Sequence, residues 1–403
     1  MGKRDEHAQA GGRSAEADAP NKAALTRRDF MAKAGLTAAA LGVAGSIPAV
    51  AAGCGSSSGG STSGASDGAG GEPTVVRFVF APDAVWNFMN DTGIVTKWEE
   101  KYNFKMVNTT TWDETAWFIG GHADIASMGT YEVPMVAENA GKEFISFGKY
   151  NMDRDSVFVK GGAPYHSMPD LVGERIATSG TGGAMLMQRA MFNKEYGLDL
   201  RLGGGDFNLV LQEEIGMPAA LTKGSVQATF GAIDWEIPYM VSGEHAWVYP
   251  DTPTDFEFYR EHFDPTKAGE HVMSNLWVTT PEWLDKNQKV AEGFNLMWQE
   301  GVNAWFADKK TIIQAYPDMF TTTNEEEVNW FLDYLDKHDN CVKSVYMDQA
   351  WIDQETKVFQ LLKETGVVKE STPDPKFAVM TSPSSAPPEA RPPEAAPAPS
   401  PST

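Results

Sequence analysis

The sequence predicts an α/β protein of two lobes, each a mostly parallel sheet flanked by helices. Short β-branched and aromatic runs alternate with helix-forming runs from Thr74 onward, the order that builds a parallel sheet covered on both faces. The alternation starts again after Ser156. At 403 residues, the chain also exceeds what one hydrophobic core usually organises.

Thr74 to Phe80 is a first strand, bounded by Pro73 and Pro82. The loop Ala81 to Trp86 leads into a helix continuing to about Tyr102. Phe104 to Val107 is a second strand, followed by a polar bend from Asn108 to Trp112 and a short helix from Glu114 to Phe118. Gly120-Gly121 turns into a third strand, His122 to Met128; Val133 to Asn139 is helical, capped by Gly141. Phe144 to Phe147 is a fourth strand and Ser156 to Val159 the next. Strands follow at Arg175–Thr178, Phe207–Leu211 and Val226–Ile233, with helices after Gly183 and at Pro218–Thr222. Residues 242–270 read as turns and short pieces, with a strand-like Ala246–Tyr249. His271 to Val278 reads as a strand returning to the first sheet, and Pro281–Phe306, Glu325–Asp336 and Trp351–Thr365 as helices with apolar faces.

Outside this body the composition changes. Thr26-Arg27-Arg28-Asp29-Phe30-Met31-Ala32-Lys33 matches a twin-arginine export signal, with Arg27 and Arg28 as its pair. An Ala/Gly/Leu/Val run leads from there to Ala51-Ala52-Gly53-Cys54, which resembles the lipobox of bacterial lipoproteins and makes Cys54 the expected lipidation site. The run holds too many Gly and Ala, and Pro48, to read as a retained membrane span. The expected organisation is a signal over 1–53, a flexible Gly/Ser tether over 54–72, lobe one from 73–155, lobe two from 156–274, a return to lobe one over 275–370, and a Pro/Ala-rich disordered tail over 371–403. The expected address is the outer face of a bacterial cytoplasmic membrane, reached by export of the folded chain.

A net charge of -22 leaves no basic surface to replace phosphate counterions, so a nucleic-acid partner is not expected. With Cys54 destined for lipid, Cys341 has no disulfide partner. The 7 histidines fall in no metal-like spacing, and neither a metal nor a cofactor is expected. In the body from Thr74 onward Gly-x-Ser-x-Gly, His-Glu-x-x-His and Walker motifs are missing. The Gly-x-Ser-x-Gly spacings at 55–59 and 64–68 fall in the Gly/Ser tether with no strand before them or helix after, which argues against the enzyme classes that carry these motifs.

Met168 to Gln188 combines a turn at Pro169-Asp170, a short strand, a glycine-rich bend and a breaker-free helical run. The backbone N–H groups of Ser179, Gly180, Thr181, Gly182 and Gly183 therefore stand at a helix N-terminus, suited to hold a polar or anionic group. Sharp turning alone also accounts for these glycines.

Three segments, Phe118-Ile119-Gly120-Gly121-His122-Ala123-Asp124-Ile125-Ala126, Asp170-Leu171-Val172-Gly173-Glu174-Arg175-Ile176-Ala177 and Leu221-Thr222-Lys223-Gly224-Ser225-Val226-Gln227-Ala228, occur in the order found in solute-binding proteins of ABC importers. They resemble the sulfonate, nitrate, taurine and thiamine-precursor branch over about residues 74–366. Gln227 departs from the pattern, standing where that family usually has Asp. The resemblance implies a type II periplasmic-binding-protein fold, with lobes joined by hinge strands near Asp155–Lys160 and His271–Thr279 and closing on a ligand between them. It implies an ABC permease and its ATPase as partners, a small-molecule ligand, and no catalysis.

Ligands of open α/β sheets sit at strand carboxyl ends. Lobe one offers Asp83 and Trp86 after the first strand, Trp112 after the second, Gly129 and Thr130 after the third, and Tyr150 and Asn151 before the first crossing. Lobe two offers residues 179–183 together with Asp234, Trp235 and Glu236. Asp234 and Glu236 also read as a solvated edge, or as salt-bridge partners for Arg154 or Arg175; Trp298, Trp305 and Trp330 read as core. Backbone donors favour an anionic end and the acids an amine or a hydrogen-bonding ring. A sulfonate or aromatic carboxylate is the first expectation, with a pyrimidine thiamine precursor or an exported enzyme on the same fold as alternatives.

Overall fold

The computed structural model describes residues 71–380. The expected signal with Arg27 and Arg28, the lipidation site Cys54, nearly all of the tether, and 381–403 of the tail lie outside the described residues. Two five-stranded sheets form the frame, in the orders β2-β1-β3-β10-β4 and β7-β6-β8-β5-β9. The first contains β1 (Thr74–Phe80), β2 (Phe104–Thr110), β3 (Ile125–Met128), β4 (Ile145–Met152) and β10 (Met273–Thr279). The second contains β5 (Asp155–Lys160), β6 (Arg175–Thr178), β7 (Asn208–Leu211), β8 (Ala228–Ala232) and β9 (His245–Trp247). β1 runs parallel to β2 and β3, and β6 parallel to β7 and β8. One strand in each sheet, β10 or β5, runs antiparallel to both neighbours. Each of these is the first strand laid down after the chain has passed from the other sheet, so the mostly parallel expectation holds with one exception per sheet. The first passage is the two-residue link Asp153-Arg154 and the second ends at Val272; neither β5 nor β10 itself spans both sheets.

Period-two alternation puts Phe78 and Phe80 on one face of β1, where their rings stack at 4.4 Å. Trp86 of α1 (Ala84–Asp91), and Phe294 and Trp298 one turn apart on α10 (Gln288–Ala307), close on that face, with Trp277 of β10 at 4.6 Å from Trp298. Gly301 lets α10 approach α1, since a Cβ there would stand 2.3 Å from the Met89 sulfur. The helix expected to run on to Tyr102 is broken at Thr92-Gly93 into α1 and α2 (Ile94–Tyr102); Gly93 sits at φ 79°, outside helical space.

Several expectations need correction. β2 continues through the supposed polar bend because Asn108, Thr109 and Thr110 pair with Phe78, Val79 and Phe80. Residues 242–270 hold a helix, α8 (Asp255–His262), started by a reciprocal cap between Thr254 and Glu257. A further short helix, α11 (Lys309–Ala315), is capped by Asp308. Not all C-terminal helices return to the first sheet: α10 packs on α1 and α2, but α12 (Glu325–His338) packs on α7 (Ile237–Ser242) and α13 (Gln349–Glu364) on α5 (Ala184–Tyr196), both beside the second sheet. Trp330 of α12 stacks on Trp247 of β9 at 6.0 Å. Residues 371–380, expected in the tail, instead run back along the outer edge of β4, where Ala378 donates to the Ser146 carbonyl at 2.8 Å. With 340–345 pairing farther along the same strand, that edge is covered.

Candidate functional site

The carboxyl end of β1 runs through Pro82 to Asp83, whose extended backbone and short carboxylate cap α1 by accepting the Trp86 N–H at 2.8 Å. At the end of β4, the Tyr150 hydroxyl donates to Asp83 at 3.1 Å, and Asn151 follows beside Cys341 of the covering segment. Asp234 lies in the turn after β8, in the second sheet. Arg154, in the link between the sheets, donates from Nε to Asp234 Oδ2 at 2.7 Å. These groups line a cavity of about 80 Å³ between the two sheets. Its apolar wall is Trp305 of α10, Phe320, and Phe331 and Leu335 of α12. Thr321, beside Phe320, reaches across to donate to the Asp234 carbonyl at 2.6 Å.

Burial pushes the Asp83 carboxyl up, against the pull of the Trp86 N–H, Tyr150 and Arg154. Burial also drives the Tyr150 hydroxyl well up, and Asp83 adds to it. Burial alone would lower the Arg154 guanidinium, but Asp234, Asp155 and Asp83 more than reverse this and hold it above its ordinary range. Behind the link stand more acids. Asp153 is raised to about 6 by burial, and Asp155 well above its usual range by burial and then Asp153. Asp255 of α8 is raised in the same way by burial, Asp153 and Asp155. Burial lifts Glu132, after β3, to about 7 and Glu114, after β2, to about 8.

Of the expected site residues, the cavity brings together Asp83, Tyr150, Asn151 and Asp234. Trp86 is buried in the aromatic core against Trp298, and Trp112 is exposed. Thr130 is fully buried and donates to Glu355 of α13 at 2.5 Å; the Gly129 N–H is taken by Glu132 at 2.9 Å. Glu236 is paired inside the second lobe with His245 at 2.5 Å. Trp235 donates its indole N–H to Glu214 at 3.0 Å. In the glycine bend, Gly183 takes φ 55° and ψ −139°, a conformation suited to glycine, while Thr181 and Gly182 face solvent. Ser179 donates to Glu214 at 3.1 Å and the Gly180 carbonyl accepts from Thr178 at 3.0 Å, so a carboxylate already stands at the bend. Trp298 is core as expected; Trp305 is buried too, but it also contributes to the cavity wall. Sequence reasoning placed Arg154 only as a salt-bridge partner, and it is the one cation lining the cavity among the described residues. Its signal was an arginine between two aspartates, linking two apolar strands.

A second cavity, of about 260 Å³, lies on the far side of Cys341 beside Glu257, Arg260 and His338. Its charges are of both signs and partly paired, with His338 on Glu257 at 2.6 Å, and no strand carboxyl end opens into it among its lining residues except Met152 of β4. The Cys341 thiol is buried, which pushes its pKa well up and leaves it inert. Among the described residues no group of three or more His, Cys, Asp or Glu is placed to hold a metal ion, and no helix is long and apolar enough to cross a membrane.

No protein-family profile matches the chain, and no curated protein matches its sequence. Solved structures do match its fold. The alkanesulfonate-binding protein SsuA from Xanthomonas axonopodis pv. citri, bound to MOPS, superposes with a TM-score of 0.58 at 14% identity, covering 77% of this chain and 100% of that one. The periplasmic aliphatic sulphonate binding protein SsuA from Escherichia coli gives 0.56 at 14% identity over 74% and 95%. A Candida albicans protein described as exhibiting the generic periplasmic binding protein structural fold gives 0.51 at 12% identity over 74% and 92%. With its two sheets, its crossings and its interlobe cavity, the chain carries the periplasmic-binding-protein fold.

Proposed function

We propose that the chain is the extracytoplasmic solute-binding component of an ABC importer, capturing a small organic solute between its lobes and passing it to a permease driven by a separate ATPase. The observation that carries this reading is the cavity itself. It lies where strand carboxyl ends of both sheets meet, with Asp83 from one lobe, Asp234 from the other and Arg154 on the link between them. The fold neighbours named as sulfonate-binding proteins support the class of function. Residues 54–72 would tether the body through lipidated Cys54 at the outer membrane face, after twin-arginine export. Capture needs no chemical step.

Two measurements test this. A melting screen of the full chain against small organic solutes should find one that raises the transition by mass action, about 2.7 kcal/mol at a hundredfold excess over Kd. Met319→Trp, which fills the cavity from its half-buried wall position, should abolish that shift; a shift that survives it puts the binding site elsewhere and removes this reading. For the anchor, Cys54→Ser should move the protein from the membrane pellet to the soluble fraction, and retention in the pellet would count against the tether.

A further inference from the structure

Resting on that reading, we infer that the solute is a compact organic cation, such as an amine, amidine or guanidine, held by Asp83 and Asp234 against the aromatic wall. Charge balance comes first. Two carboxylates line the cavity against one guanidinium, and that guanidinium is already engaged by Asp234 at 2.7 Å. The acids continue behind it: Asp153 and Asp155 flank Arg154, and Glu214 is close enough to both to raise their proton affinity. An anion entering here would have to displace Asp234 from Arg154 and face the remaining carboxylates.

A second observation is independent of the count. Asp153 and Asp255, which stand behind Arg154 and outside the cavity lining, are 1% and 3% exposed. Among the described residues Tyr131 and Gln188 face them, but one carboxylate oxygen of each has no partner within 3.5 Å. Buried carboxylate oxygens are normally paired, so this acidic hub draws on the charge of Arg154 from behind and leaves less of it to hold an anion in the cavity. The wall chemistry agrees: Trp305, Phe320, Phe331 and Tyr150 line the cavity, and aromatic rings attract cations. At the glycine bend, where an anionic group was expected, Glu214 occupies the Ser179 hydroxyl. The net charge of -22 adds a long-range field that concentrates cations at the surface and repels anions.

The test is calorimetric titration of the full chain at low salt with benzamidine, phenethylamine, agmatine and choline, set against benzenesulfonate, hexanesulfonate and benzoate. At least one cation should bind saturably while the anions do not. Asp83→Asn, which keeps a capping side chain, should weaken that binding at least tenfold. Asp234→Asn should weaken it as much and, by freeing Arg154, let benzenesulfonate or benzoate bind; melting curves of both variants establish that they are folded. Binding of a sulfonate or carboxylate to the unaltered chain, without any of the cations, overturns the cationic assignment and leaves solute capture standing. Silence of every probe in both sets overturns the assignment and capture together.

Discussion

Arg154→Ala is expected to destabilise the protein by about 3 kcal/mol, because it leaves buried carboxylates without their counter-charge. Arg154 sits between Asp83, Asp155 and Asp234, each of which raises its proton affinity. Its side chain keeps 30% exposure while that of Asp234 keeps 12%. Solvent therefore screens some of the loss, which is why the lower end of the range for broken buried pairs applies. The double variant Arg154→Ala with Asp234→Asn removes one of the stranded charges and should recover some of the stability. Urea unfolding of the full chain checks both; a single variant within about 0.5 kcal/mol of the parent would mean that the link carries no such electrostatic role.

The ligand-free protein should lose stability as pH rises from about 5 to 8. Asp153 is lifted from 3.8 to about 6, Glu132 from 4.5 to about 7 and Glu114 from 4.5 to about 8, in each case by burial first. A carboxyl raised in the folded state binds its proton more tightly there than in the unfolded chain. Below the unfolded pKa both states are protonated and nothing is lost. Above it the unfolded chain releases protons that the folded chain still holds, so stability declines until the folded carboxyls also ionise. The loss therefore spans the window from about 4 to about 8. Asp153 is faced by Asp155, Asp255, Glu214 and Tyr131 with Arg154 as the opposing charge, Glu132 by Asp153, and Glu114 by Glu132 and Asp113. His271, raised overall because Glu355 outweighs the effect of its burial, contributes with the same sign. At about 1.4 kcal/mol per pKa unit, and discounting half-exposed Glu114 and the coupling of Asp153 to its neighbours, the total is about 2–4 kcal/mol. Asp153→Asn should flatten the profile, since an amide still accepts the Asp155 N–H now bound at 3.1 Å. Unfolding midpoints that stay level or rise between pH 5 and 8 would contradict the buried-acid account. A cationic solute should oppose the trend by binding more tightly as Asp83, the cavity carboxyl that burial also raises, ionises.

The strands were legible where turn residues bounded a β-branched run: β1 runs between Pro73 and Pro82 with the ends expected. α8 was missed although Thr254 and Glu257 stand at the spacing of a reciprocal cap, a local signal lost among surrounding turns. Position after a strand found Asp83 and Asp234, yet position does not say which way a side chain faces. Trp86 turns into the core because three rings wait for it on β1 and α10. Glu236 turns away to a histidine nine residues later, a pairing set by β9 and invisible before that strand is placed. Phe331 falls on the apolar face of a helix and Phe320 just before it, and only the meeting of α10, α12 and the link makes them a cavity wall. The C-terminal helices divide between the sheets for the same reason: an apolar face states that it packs, not on what.

That division bears on motion, because α12 touches α11 on one side and α7 on the other. Lobe opening must break either of those two contacts while the Asp153-Arg154 link bends. Small-angle scattering of the full chain, with and without a saturating solute from the melting screen, tests capture by lobe closure most directly. A smaller radius of gyration is expected when the cavity is filled; a solute bound in the cavity with an unchanged scattering profile would contradict closure.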